Sequence, residues 1–294
     1  MSMEFGRLIT AMITPFNVDG SVNYSETLKI VDHLIENGTE TILLAGTTGE
    51  SPTLTFEEEL SLFSKVVKHV NKQAKVMAGT GSNCTRTAVD ATRRAEQTGV
   101  DGFLQVVPYY NKPSQEGMIA HFSAVSEITQ KPILLYNIPS RTGSNMLPET
   151  MLELSKLKNI IGVKEAAGSV EQVTAISKLC PKDFIIYSGD DALTVDFMLE
   201  GASGVVSVAS HIIGTEIQQM MQLLIDNKID AAKQMSCQLS DIFEVLFISS
   251  NPAPVKMALS MMGFNTATLR LPLLPINDDQ KTVLTTVLKK HNLI

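Results

Sequence analysis

A chain of 294 residues with a formal net charge of −7 lacks the basic balance of a nucleic-acid footprint, and with 5% aromatic residues and no tryptophan it offers few platforms for stacked bases. Its 44% hydrophobic and 19% charged residues suit a soluble globular protein with a large core, and no apolar run reaches the roughly 18 residues of a membrane span. Three scattered cysteines (Cys84, Cys180 and Cys237) without a C-x-x-C pair, and an N-terminus that Glu4 and Arg7 interrupt early, predict a reducing cytoplasmic setting without a secretory signal.

In chain order, β-rich runs occupy residues 8–14, 41–45, 75–79, 102–108, 132–137, 160–164, 184–188 and 204–208. Several are almost continuously apolar (ILLA, FLQVV, ILLY, IIGV, FIIY, GVVSV), the pattern of parallel strands covered on both faces. Between them apolar residues recur at helical spacing, as at Leu28, Val31, Leu34 and Ile35, or at Leu60, Phe63, Val66 and Val67. Thr55 followed by acidic residues marks a helix start, as does Ser114 with Gly117 close behind. This alternation predicts an α/β fold, a (β/α)8 TIM barrel. The alternative, an open doubly wound sheet, would favour a G-x-G-x-x-G turn after the first strand, and none is present. Beyond residue 211 the β signal fades and helices are expected over 217–226, 230–246, 254–262 and 278–290. The chain thus divides into a barrel of residues 1–225 and a C-terminal α-helical extension of residues 226–294.

In such a barrel, chemistry collects at the C-terminal ends of the strands. Lys164 closes an apolar strand, where loss of water disfavours the ammonium and a neutral amine can attack a carbonyl to form an imine. The other reading of Lys164 is an ion pair with Glu165 or Glu50 at the rim. Gly46-Thr47-Thr48-Gly49 is suited either to a nest of N–H groups and hydroxyls for a small carboxylate or to an ordinary βα turn. Tyr136 offers a phenol for proton shuttling, or simply a core tyrosine. Arg141, in a Pro-Ser-Arg-Thr-Gly loop, is either a bidentate carboxylate clamp or a surface charge. Tyr109 and Tyr110 suggest an interface or an active-site wall, or loop packing. Asp190 and Asp191 read as a helix N-terminus. The five histidines read mostly as surface or helix positions without metal spacing, and the Met220-Met221 and Met261-Met262 pairs as core.

These residues stand in TAMITPF (10–16), GTTGESPTL (46–54), AGTGSN (78–83), PYYNKPSQEG (108–117), LYNIPSRTG (135–143), GVKEAAG (162–168), YSGDD (187–191) and NPAPVK (251–256). With these motifs the chain resembles, over essentially its whole length, the dihydrodipicolinate synthase family within the pyruvate-dependent class I aldolases, which include N-acetylneuraminate lyase. The resemblance implies a lyase that condenses pyruvate with L-aspartate 4-semialdehyde on the way to diaminopimelate and lysine. It implies no metal and no cofactor beyond the imine on Lys164. Tyr136, Thr47 and Tyr110 match a proton-relay triad, with Tyr110 supplied across a subunit interface of a homo-oligomer, a tetramer built from tight dimers. Thr48 with Thr47 matches the pyruvate-carboxylate site and Arg141 the semialdehyde-carboxylate site. Gly189 and Val206 match positions lining the pyruvate pocket. At the family's lysine-inhibition site Ser51, Asn83 and Tyr109 remain. Its His and Glu positions read Phe56, Glu59 and Thr87, which predicts weak or absent feedback inhibition by lysine.

Overall fold

A computed structural model describes residues 5–294. In chain order the elements are β1 Leu8–Ala11, α1 Tyr24–Glu36, β2 Thr41–Leu44, α2 Phe56–Val70, β3 Lys75–Gly79, α3 Thr85–Glu96, β4 Gly102–Val106, α4 Gln115–Ser126, β5 Ile133–Asn137, α5 Pro139–Thr142 and α6 Pro148–Leu154. The order continues with β6 Ile160–Glu165, α7 Val170–Leu179, β7 Ile185–Ser188, α8 Thr194–Leu199, β8 Gly204–Ser207, α9 Ser210–Ile225, α10 Ile229–Val245, α11 Ala253–Met261 and α12 Asp278–Lys290. The eight strands pair in parallel and close on themselves, β8 against β1. This is the TIM barrel that the alternation of strands and helices predicted.

Two apolar layers hold it together, because successive strand residues point to opposite faces. Ile9, Ala11, Leu43, Met77, Leu104, Leu134, Tyr187 and Val206 fill the barrel. Their neighbours Leu8, Ile42, Leu44, Val76, Ile133, Leu135, Val163 and Val205 face the helices. Helix entry is fixed locally. Thr55 and Glu58 form a reciprocal capping box on α2, and the Ser114 hydroxyl accepts the Gly117 N–H at the start of α4. After β8, helices α9 to α12 pack on one another, and the Lys290 and His291 side chains clamp Asp241 of α10.

One sequence reading is corrected. Asp190 and Asp191 do not cap their own helix, since α8 begins at Thr194 with Leu193 as its cap. Asp191 instead reaches across to accept the N–H groups of Val208 and Ala209, each at 2.9 Å, just ahead of α9. A buried carboxylate satisfies the free donors of the following helix. The histidines lie on helices or at a helix end, as read, but His121 of α4 and His211 of α9 are buried. His211 is wedged between chain segments, its Nε2 accepting the Ile13 N–H at 3.1 Å and its Nδ1 donating to the Val208 carbonyl at 2.8 Å. Met220 and Met221 are core, as read, and Met261 and Met262 pack against it.

Burial holds His121 and His211 neutral, each pushed down to about 4 from 6.5. Their contribution to stability is complete above pH 6.5, where the unfolded histidines are also neutral. It declines as pH falls toward 4, because the unfolded chain takes up protons first. The expected cost at pH 5 is on the order of 1–2 kcal/mol per histidine. Urea unfolding should therefore show a lower midpoint at pH 5 than at pH 7, with a smaller drop in His121→Gln.

Candidate active site

The C-terminal ends of the strands surround two adjoining hollows. The outer cleft, about 260 Å3, is lined by residues including Thr47, Ser51, Tyr109, Tyr136, Ile138 and Arg141. A smaller chamber of about 60 Å3 shares Thr47, Tyr136 and Arg141 with it and adds Thr48, Lys164, Gly189 and Asn251. That inner volume suits a molecule of only a few heavy atoms.

Lys164 lies inside the barrel mouth at 6% exposure. The ion-pair alternative does not hold. Glu165 points to the other face of β6 and accepts from Asn137, Gln172 and the Ala167 N–H. Glu50 pairs with Lys256. Among the described residues no carboxylate touches the Lys164 amine. Its Nζ sits 4.2 Å from the centroid of the Tyr136 ring. Burial pulls its pKa down to about 8 from 10.5; the Asp191 charge opposes that fall and the Arg141 charge adds to it. At that value roughly a tenth of the amine is neutral at pH 7, against roughly one part in a few thousand for an ordinary lysine.

Burial pushes the Tyr136 phenol up to about 12, against the opposing effects of Arg141 and of a hydrogen bond with the Thr47 side chain. It therefore stays protonated and able to donate. The threonine turn leaves β2 abruptly. Ala45 (φ 52°) and Glu50 (φ 55°) flank it in the left-handed region, and strain of this kind, on the order of 1–3 kcal/mol per residue, concentrates at functional sites. The Thr47 and Thr48 N–H groups make no backbone hydrogen bond among the described residues. Gly189 backs Lys164: a Cβ there would stand 2.6 Å from the Ala166 Cβ and 3.2 Å from the Lys164 Cε.

Lys164, Tyr136, Thr47, Thr48, Gly189 and the exposed Arg141 thus converge on one place. Tyr110 does not join them in its own chain: it is 88% exposed, on a loop where it and Lys112 are left-handed. Val206 packs in the interior layer, and Val208, two residues on, lines the inner chamber. Ser51 and Tyr109 line the outer cleft, whereas Asn83 stands apart, its carbonyl accepting from Asn111. Phe247 and Asn251, in the connection between α10 and α11, also line the chamber, as sequence reasoning did not foresee. The signal for Asn251 was the NPAPVK motif, which carried no assigned role. Among the described residues no group of three or more His, Cys, Asp or Glu could hold a metal ion, and no helix is long and apolar enough to cross a membrane.

An amine-acylating reagent should modify Lys164 with a rate that rises through pH 8, below the range of surface lysines, as followed by peptide mass spectrometry. Asp191→Asn removes a charge that favours the ammonium and should lower that midpoint; Arg141→Ala should raise it.

Comparison with known proteins agrees with this geometry. The profile of the Dihydrodipicolinate synthetase family matches residues 4–291. A 4-hydroxy-tetrahydrodipicolinate synthase from Nostoc punctiforme is 49% identical over 292 residues, 99% of each chain. One from Thermosynechococcus vestitus is 50% identical over 276 residues, 94% of this chain and 93% of its own. Among solved structures, the enzyme from Cyanidioschyzon merolae with lysine bound superposes with a TM-score of 0.97 at 45% identity, covering 99% of both chains. The dihydrodipicolinate synthase of Bacillus anthracis gives 0.95 at 44% identity, covering 97% of this chain and 98% of that one. By profile, by sequence and by shape, the chain belongs to the dihydrodipicolinate synthetase family.

Proposed function

We propose that this chain is a 4-hydroxy-tetrahydrodipicolinate synthase, condensing pyruvate with L-aspartate 4-semialdehyde in lysine and diaminopimelate biosynthesis. The observation that carries the reading is a lysine amine out of water, with no carboxylate among the described residues in contact, above the Tyr136 ring and beside the threonine turn. Its neutral form attacks the pyruvate keto carbon, and water leaves as the imine forms. Loss of a methyl proton gives an enamine, whose carbon bonds the aldehyde. The amino group of the second substrate then displaces Lys164 as the ring closes, so the net products are the cyclic compound, one water and one proton.

Thr47 and Thr48 hold the pyruvate carboxylate, with Gly189 behind the lysine and the neighbouring β8 completing the wall. Arg141 at the mouth takes the carboxylate of the semialdehyde, for which a guanidinium fork is well matched. Tyr136 and Thr47 pass protons, joined by Tyr110 from a second copy of the chain. The exposure of Tyr110 supports that arrangement and an oligomeric enzyme, taken here as a homotetramer in the cytoplasm with no metal or cofactor beyond the imine. A sugar-acid lyase is the competing aldolase reading, and Arg141 favours the short amino-acid aldehyde.

Lysine regulation should be weak. Glu59 is the acid that could meet an effector ammonium, but burial pushes its carboxyl up to about 7 and it already accepts the Ser51 hydroxyl at 2.8 Å. A half-neutral, occupied carboxyl is a poor ammonium partner. Phe56 and Thr87 lie on a groove with Arg86, Arg93 and Asp90, whose balance of charge is positive and does not favour a cation.

A coupled assay should show turnover with aspartate semialdehyde and none with N-acetylneuraminate; the reverse result rejects the assignment. Pyruvate with borohydride should add one reduced pyruvate to Lys164 by mass, and Lys164→Ala should abolish it. Tyr110→Phe should keep the adduct and slow turnover by roughly 10²-fold, the usual weight of a proton-transfer group. Micromolar lysine should leave the rate unchanged.

A further inference from the structure

We propose that the segment from Asn251 to Lys256, in the C-terminal extension of residues 226–294, is a positioning element for the threonine turn: it decides which way the Thr48 hydroxyl donates. The inference rests on the reading above, in which Thr48 holds a carboxylate.

Asn251 is 8% exposed and lines the inner chamber. Its Nδ2 donates to Thr48 Oγ1 at 2.9 Å. A hydroxyl has one proton to give and lone pairs to accept with. Once its oxygen accepts from Asn251, its proton is directed elsewhere, and no protein acceptor takes it among the described residues. Thr48 is itself buried, so that proton is aimed at whatever fills the chamber. Accepting one hydrogen bond also strengthens the next one donated. The result is a hydroxyl set as a donor, which a carboxylate oxygen needs and a free rotor supplies only part of the time.

The same segment holds the backbone of the turn. Lys256, fully buried, pairs with the equally buried Glu50 and donates a second bond to the Thr268 carbonyl at 2.9 Å. Glu50 also accepts the Arg270 N–H at 3.1 Å. Arg270 donates to the Thr53 carbonyl at 2.6 Å and to both oxygens of Glu58. Thr48 and Glu50, two residues apart, are thus both gripped from the C-terminal extension. Lys256 fixes where the turn lies, and Asn251 fixes the orientation of one hydroxyl on it.

The test is steady-state kinetics on the full-length enzyme. Asn251→Leu removes the donor without adding charge and should raise the KM for pyruvate about tenfold, the weight of one hydrogen bond to a charged group, with kcat within about twofold. In a Thr48→Val background the same change should add less than about twofold. In a Thr48→Ser background, which keeps a hydroxyl, the Asn251 effect should persist. Asn251→Asp is nearly isosteric and covers the case in which the leucine variant does not fold. Its carboxylate would take the Thr48 proton, and it should raise the pyruvate KM further. An unchanged pyruvate KM in both Asn251 variants, or an undiminished effect without the Thr48 hydroxyl, overturns the proposal. Borohydride trapping of wild type separates the two layers. If pyruvate leaves no adduct, the enzymatic reading itself fails. If the adduct forms but Asn251 proves silent, only the positioning role fails.

Discussion

The structure turns on a single desolvated amine. Lys164 ends a strand buried on both faces, and the barrel gives it an aromatic ring in place of a carboxylate. Burial pushes a lysine toward its neutral form, and a carboxylate in contact would in addition occupy the amine that has to attack. Every neighbouring choice follows the same logic. Glu165, next in sequence, is turned to the opposite side by strand alternation and absorbed by Asn137 and Gln172. Asp191 contributes its charge but spends an oxygen on two backbone N–H groups. Lys256 is lowered by burial to about 8 as well, but Glu50 takes up its amine, whereas no carboxylate among the described residues touches Lys164, which lines the chamber.

The second constraint is the strained turn after β2. Two non-glycine residues held left-handed at its flanks need a surrounding that leaves them no alternative. Buried pairing at Glu50 is such a surrounding, because removing one member of a buried ion pair typically costs about 3–5 kcal/mol. The chain after the barrel therefore braces the turn at the barrel mouth through Lys256 and Arg270.

The fold was open to reading from sequence because each strand was a short, nearly unbroken apolar run and each connecting helix kept its period. The strand ends after β1 and β4 came out shorter than read, since pairing stops where the chain turns into its loop. The site was legible wherever a chemical group stood at a strand terminus, as with Lys164, Tyr136 and Thr47. It was not legible where the partner lay far along the chain. Asn251 and Thr48 are 203 positions apart, and Lys256 and Glu50 are 206. Asp191 was assigned to the wrong helix for a related reason: acidic residues favour helix starts, but periodicity cannot say which helix a side chain will reach. The burial of His121 and His211 was hidden because each depends on a neighbouring element for cover.

The glycine behind Lys164 has a consequence for anyone wishing to retool this barrel. Position 189 admits no side chain, since even a methyl group would press on Ala166 and on the lysine stem. Space for a bulkier 2-oxo acid must come from trimming the opposite walls, at Leu43, Leu104 or Val208. Those three belong to the apolar packing that keeps water from the amine, so widening the acceptor range by that route would also erode the reactivity it was meant to redirect.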